Sequence, residues 1–314
     1  MPEPVVVEPL EAAPVASEPL AAEPLAAEPL AAEPGAATPV PATPGAAQRA
    51  PGPAISFSKV SVVRDGRPIL DAVDWEVGPQ DRWVVLGPNG SGKTTLLRVA
   101  GARLMPSRGS VSVVGQRFGR SDLRTVRARI PLVSASTVRA LRPFLSAREV
   151  VVTGRDAALL PVRHRYTQAD WAAADRMLAR VTGHGAAILP DAPFGLLSEG
   201  ERQQVLIARS LMGAAELILL DEPAAGLDLA ARERLVTRLG SLASDPSVPA
   251  MVLVTHHLEE VPSGFTHCLL LAEGRKLATG RLEDALTAPL VSKCFGVEVH
   301  LERHGGRWWA HAAG

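Results

Sequence analysis

Apolar and polar positions change their spacing several times along this chain, and each change predicts an element. From Ile55 the stretch ISFSKVSVV alternates with a period of two, as a half-buried strand does, and RPILDAVDWEV repeats that pattern. RWVVLG is a short apolar run that ends in glycine, and KTTLLRVAGA after it has helical spacing. GSVSVVG returns to a strand. From about 120 to 197 the spacing is mostly helical, with TQADWAAADRMLARV the clearest amphipathic stretch. ELILLDEP (216–223) and AMVLVTHH (250–257) are apolar runs of the length of buried strands. CLLLAEGRKLATG predicts a hairpin turning at Glu273-Gly274, and VEVHLERHGGRWWAHA a second turning at Gly305-Gly306. Strands that alternate with loops and helices imply a parallel sheet covered by helices, an α/β fold.

The first 53 residues carry no such spacing. EPLAA recurs every five residues between Glu18 and Glu33, and prolines at that interval break helix hydrogen bonds. With few large side chains to bury, residues 1–53 are expected to form a disordered tail, solvated or serving as a spacer. Residues 1–48 hold seven Glu and no Lys or Arg, so the body carries all 33 basic residues against 26 acidic ones (33 less 7). A modest positive excess suits an anionic ligand such as a nucleotide. Spread this thinly, it gives no basic face for nucleic acid, and none is expected as a partner. The two cysteines, Cys268 and Cys294, lack metal spacing and read as buried thiols. No apolar run approaches the roughly 20 residues that span a bilayer, and no signal-peptide pattern opens the chain. A cytoplasmic protein is expected, with any membrane role reached through a partner.

Three stretches carry chemistry. GPNGSGKTT, Gly87 to Thr95, fits G-x-x-x-x-G-K-[ST] between a predicted strand and a predicted helix. Backbone amides of Gly87, Pro88, Asn89, Gly90, Ser91 and Gly92 form the loop expected to curl around phosphate oxygens, proline supplying shape alone. Lys93 would reach the β- and γ-phosphates and the Thr94 hydroxyl would hold Mg²⁺, with Thr95 beside it. LILLDEP ends a buried strand in Asp221, a second Mg²⁺ ligand, and Glu222, which would polarise the attacking water. VLVTHH puts His256 at the end of another strand, suited to the γ-phosphate, with His257 the weaker of the pair. His300 and His304 share one face of a predicted edge strand at a spacing too wide for easy chelation.

These stretches, in this order, resemble the ATP-binding cassette (ABC) ATPases over about residues 55–280. The resemblance implies a P-loop NTPase core with an antiparallel β-subdomain and an inserted helical subdomain at about 118–197, within an ABC ATPase domain spanning 54–314. A C-terminal hairpin extension is expected at about 281–314. It implies ATP hydrolysis with ATP and Mg²⁺, in a head-to-tail homodimer or a dimer with a second ABC ATPase. LSEGERQQ, from Leu197, matches the family's signature motif. Ser198, Glu199, Gly200 and Glu201 would then face the partner's ATP, and Asp228 of AAGLD would cross the same interface. An integral-membrane permease is implied as partner, which places the protein at the inner face of the membrane. RWVVLGPNG and VTHHLEE are most similar to ATPases of molybdate-type or iron-siderophore-type importers. The second reading is a soluble ATP-dependent dimerising switch that regulates another protein without a permease.

The sequence departs from the family pattern in places. Glu199 and Glu201 replace Gly and Gln of the usual LSGGQ, and are expected to point away from nucleotide and to start the helix, respectively. Arg64 occupies the position of the adenine-stacking aromatic; it either stacks through its guanidinium plane or stands in solvent. Ala135 stands where the family has the Gln that senses Mg²⁺, leaving Ser134 or Ser136 as replacements and motivating the second reading.

Overall fold

Alternation sets the two faces of the central sheet. In the computed structural model, which describes residues 52–120, 122–183 and 188–313, strand β3 (Arg82–Leu86) is buried along its whole length. Val84 and Leu86 point into one apolar cluster while Trp83 and Val85 point into another, as a period of two requires. The chain divides into units Met1–Ala47 and Gln48–Gly314, and every described strand and helix belongs to the second. The tail expected over residues 1–53 lies outside the described residues up to residue 51.

Strands β1 (Ile55–Arg64) and β2 (Arg67–Val77) precede β3 and pair antiparallel. Helix α1 (Lys93–Ala100) follows β3, and β4 (Arg108–Val113) and β5 (Gln116–Arg117) complete a four-stranded sheet of order β2-β1-β4-β5. Next come α2 (Leu123–Ala128), the two-residue β6 (Leu132–Val133), α3 (Ala135–Ala140), α4 (Ala147–Val152), α5 (Gln168–Thr182) and α6 (Glu199–Met212). The stretch read as helical therefore also lends a strand to the main sheet. β7 (Leu217–Asp221), α7 (Leu229–Ala243), β8 (Ala250–Thr255), β9 (His267–Ala272) and β10 (Arg275–Arg281) complete a six-stranded sheet of order β10-β9-β3-β8-β7-β6. All its pairs are parallel except β9 with β10. The C-terminal stretch holds two helices, α8 (Leu282–Ala285) and α9 (Ala288–Phe295), before the hairpin of β11 (Val299–His304) and β12 (Arg307–Ala312). Both hairpin turns fall where glycine pairs with a residue of positive φ: Glu273-Gly274 at 49° and 73°, Gly305-Gly306 at 57° and 80°.

The four-stranded sheet and α1 cover one face of the six-stranded sheet, and α4 to α9 cover the other. Because β3, β7 and β8 run parallel, their carboxyl ends meet at one edge, and the loops there gather the polar residues of the site. The opposite edge is tied by one guanidinium. Arg82 is 4% exposed and donates to the carbonyls of Gln80, Ala243, Val248 and Pro249 at 2.8–3.0 Å, and to those of Asp81 and Asp245 at 3.3 Å. Burial lowers its pKa, opposed by the charges of Asp81 and Asp245. Arg82→Met is expected to strand these carbonyls and cost on the order of 3 kcal/mol. Thermal unfolding checks this; an unchanged Tm would show that the carbonyls find water.

Candidate functional site

The loop between β3 and α1 is shaped by its glycines. Gly90 and Gly92 have φ of 80° and 101°, where a side chain would be strained. A Cβ on Gly87 would lie 2.0 Å from the Leu271 carbonyl oxygen, so only glycine lets the loop sit against β9. Lys93 opens α1 and folds back under the loop, donating to the carbonyls of Gly87 at 2.8 Å and Pro88 at 2.9 Å. It is 4% exposed; burial lowers its pKa, and the nearby charges of Glu222 and Asp221 hold it up. The Ser91 hydroxyl is buried there without a hydrogen-bond partner among the described residues, an orphan that a phosphate oxygen would satisfy.

Asp221 ends β7 and Glu222 follows it with φ of 48°, a left-handed conformation uncommon for a side chain of this size. The Glu222 amide bonds the Val254 carbonyl at 2.9 Å, so the turn is pinned to β8. That turn brings the Glu222 carboxylate to 3.2 Å from His256 Nδ1 and 4.0 Å from Lys93 Nζ. The Thr94 hydroxyl donates to Asp221 at 3.2 Å. Burial pushes the Asp221 pKa up, opposed by that hydrogen bond. Lys93, Thr94, Asp221, Glu222 and His256, drawn from three parts of the sequence, therefore form one cluster. His257 turns aside to Glu259, 3.5 Å away.

A hydroxyl and a carboxylate this close form a hard-oxygen donor set that fits Mg²⁺, an ion that takes few protein ligands and completes its shell with water and phosphate. Phosphate in the loop would meet amides, the Lys93 ammonium and the Ser91 hydroxyl. The arrangement can bind a polyphosphate, neutralise it, and hold a carboxylate beside its terminal phosphorus.

The other expected residues stand apart from this cluster. Ser198 is exposed and caps α6; its amide and hydroxyl both donate to Glu201, at 2.8 and 2.7 Å. This reciprocal capping box is readable in the S-x-x-E spacing, a more specific signal than the helix dipole. Leu197 is buried behind it. Glu199 lies along its own helix, 3.4 Å from Gln203 Nε2 and 3.5 Å from Arg202. Asp228 caps α7 through the Ala231 amide at 2.7 Å. Arg64 lies at the end of β1 with its side chain 79% exposed, 3.9 Å from Asp65. Ala135 is exposed at the start of α3, while buried Ser134 caps that helix and bonds Ser136 at 2.8 Å. The cross-strand rings of His300 and His311 lie 5.3 Å apart, a contact the spacing of His300 and His304 does not suggest.

Both cysteines are buried and free, as their sequence context implies. Cys294 of α9 has its thiol pushed up to about 11 by burial, opposed by the charge of Lys93, and it donates at 3.7 Å to the Leu271 carbonyl, the oxygen against which Gly87 sits, so α9 packs close to the phosphate loop. Among the described residues no helix is long and apolar enough to cross a membrane.

Comparison with known proteins agrees with this geometry. The ABC transporter family pattern matches residues 70–225. An ABC transporter ATP-binding protein of Streptococcus mutans is 34% identical over 247 residues, 79% of this chain and 94% of its own length. The hemin import ATP-binding protein HmuV of Rhodococcus jostii is 32% identical over 246 residues, covering 78% and 80%. In fold, the chain is similar to a metal-chelate-type ABC transporter in an inward-facing conformation, with a TM-score of 0.65 at 23% identity over 83% of this chain and 97% of that one. It is also similar to a dimeric ATP-binding cassette bound to ADP and Pi, with a TM-score of 0.61 at 23% identity over 73% and 98%. A phosphate loop, an acidic strand end and a histidine at one sheet edge, together with relatives matched over most of their length, make this chain an ATP-binding and ATP-hydrolysing member of the ABC transporter ATP-binding proteins.

Proposed function

We propose that the chain acts as one half of a head-to-tail pair of cassettes that encloses two ATP molecules and drives a separate membrane permease. The observation that supports this most is the place of Ser198. It is exposed at the start of α6, and its side-chain hydrogen bonds go only to Glu201 of its own helix among the described residues. A helix N-terminus displayed in this way offers anion-binding amides to a second chain.

In this reading the loop amides from Gly87 to Gly92 and Lys93 bind the β- and γ-phosphates. Glu222 orients the attacking water, and His256 holds Glu222 and contacts the γ-phosphate. Thr94 and Asp221 would hold Mg²⁺, which supplies charge neutralisation at the phosphates. The partner's copy of Ser198 closes the site, and Asp228 lies along the same interface. Arg64 supplies a guanidinium plane for the adenine. Ser136, tied to Ser134 and next to Ala135, takes over the relay to the helical segment.

Capture of the tagged chain from detergent-solubilised membranes tests the permease. A membrane-spanning protein is expected to co-purify at a fixed ratio. Recovery of the cassette alone, as a dimer that forms only with ATP, would replace this reading with that of a regulatory switch. That second reading is favoured by Ala135, which cannot sense the metal.

A further inference from the structure

The C-terminal hairpin contributes nothing to the phosphate loop, yet β12 packs against the segment that follows His256. After β8 the backbone runs through His256 and His257 into a short helical turn, Leu258–Glu260. That segment is tied first to itself. The Thr255 hydroxyl donates to the buried Glu260 carboxylate, and the His257 amide donates to the Thr255 oxygen at 3.1 Å.

Arg307, the first residue of β12, ties the same segment to a helix. Its Nη2 donates to the Glu259 carbonyl. Its Nη1 and Nη2 also donate to the two carboxylate oxygens of Glu233, at 2.7 and 3.3 Å. Glu233 belongs to α7, which Asp228 caps and which Leu235, Val236, Leu239 and Leu242 bury in the core. The hydrogen bond from Arg307, opposed by burial, holds the Glu233 carboxyl below its ordinary pKa. Trp308, next in the chain, is buried in the apolar cluster that contains Leu258 and Leu235, so the hairpin is held where its guanidinium reaches both partners. The Glu259 side chain turns elsewhere, 3.5 Å from His257 and 4.0 Å from Arg232.

We infer that Arg307 is a positioning residue for ATP hydrolysis: through the Glu259 carbonyl it fixes the loop that carries His256, with α7 as the anchor. The inference rests on the reading of His256 as the γ-phosphate contact. A planar guanidinium can bond both oxygens of a carboxylate and still reach a carbonyl in one rigid arrangement, which the single ammonium of lysine does not reproduce. His256 also lies 3.2 Å from Glu222, so drift of its loop would disturb the phosphate contact and the water-orienting carboxylate together. Misplacement by about 1 Å from a distant change can cost on the order of 10²-fold in rate.

Hydrolysis by the full chain tests this. Arg307→Met keeps the apolar stem and is expected to lower kcat roughly tenfold or more, with KM and the affinity for a non-hydrolysable ATP analogue unchanged. The unchanged affinity verifies folding. Glu233→Ala removes the anchor from the other side, should lower kcat in the same way, and carries the same comparisons should Arg307→Met not fold. In a His256→Ala background, followed by single-turnover hydrolysis at high enzyme concentration to resolve slow rates, either substitution should cost nothing further, because the residue it positions is gone. A hairpin that only stabilises the fold would cost the same in both backgrounds. Unchanged kcat in either folded variant, a loss carried by KM or analogue affinity, or an equal loss with and without His256 overturns the proposal. Failure of the underlying reading shows separately, as a His256→Ala chain that turns over at the full rate.

Discussion

Replacing Glu222 with Gln is expected to stop turnover while ATP binding persists. Gln has the shape of Glu and can keep the place beside His256, where the carboxylate oxygen lies 3.2 Å from Nδ1. It cannot accept a proton from water or draw water with a negative charge. Loss of general-base assistance costs roughly 10²–10⁴ in rate. In the proposed reading, binding draws on the loop amides, Lys93, Thr94 and Asp221, none of which is itself replaced. Lys93 also loses a competing carboxylate 4.0 Å away, so affinity should hold or rise. Phosphate release measures the first effect and equilibrium binding the second. With ATP bound and not hydrolysed, the dimer should accumulate, which light scattering detects. Turnover close to that of the unsubstituted protein would remove Glu222 from the role given to it here.

What makes this site legible in the sequence is local chemistry. A loop that must curl around phosphate needs glycine at fixed places, and a buried strand that ends in two carboxylates has few other uses. β7 and β8 are visible because strands covered on both faces are continuous apolar runs. Other features have no local signal. β6 is two residues long, too short for any period, and is held in the sheet by the two partners it pairs with in β7. Arg82 looks like an ordinary surface charge until the chain brings carbonyls from residues 80 to 249 around it. Arg307 and its partners Glu233 and Glu259 are scattered from 233 to 307, and only the fold brings them together. Glu222 is evident from its neighbours in sequence, but its left-handed backbone is imposed by the amide bond to β8.

Ser198→Arg is expected to separate binding from hydrolysis, and its mixture with Lys93→Ala tests which chain Ser198 serves. Ser198 lies outside the cluster built on Lys93, so each Ser198→Arg chain keeps its own loop and should still bind ATP weakly. A bulky cation at the start of α6 would obstruct the partner's γ-phosphate and remove the hydroxyl of the capping box, so closure and hydrolysis should both fall. Lys93→Ala is expected to fail earlier, because in the proposed site it would remove a charged hydrogen bond to phosphate worth about 1.5–3 kcal/mol. In a dimer of one chain of each kind, the site built on the loop that has lost its lysine also borrows the altered signature helix. The other site joins an intact loop to an intact helix. Covalently linked mixed dimers should therefore recover part of the hydrolysis that neither parent shows. Nucleotide trapping should find one ATP enclosed per linked dimer even where firing needs both sites. If no ATP is enclosed, Ser198 does not act across the interface and the head-to-tail arrangement is wrong.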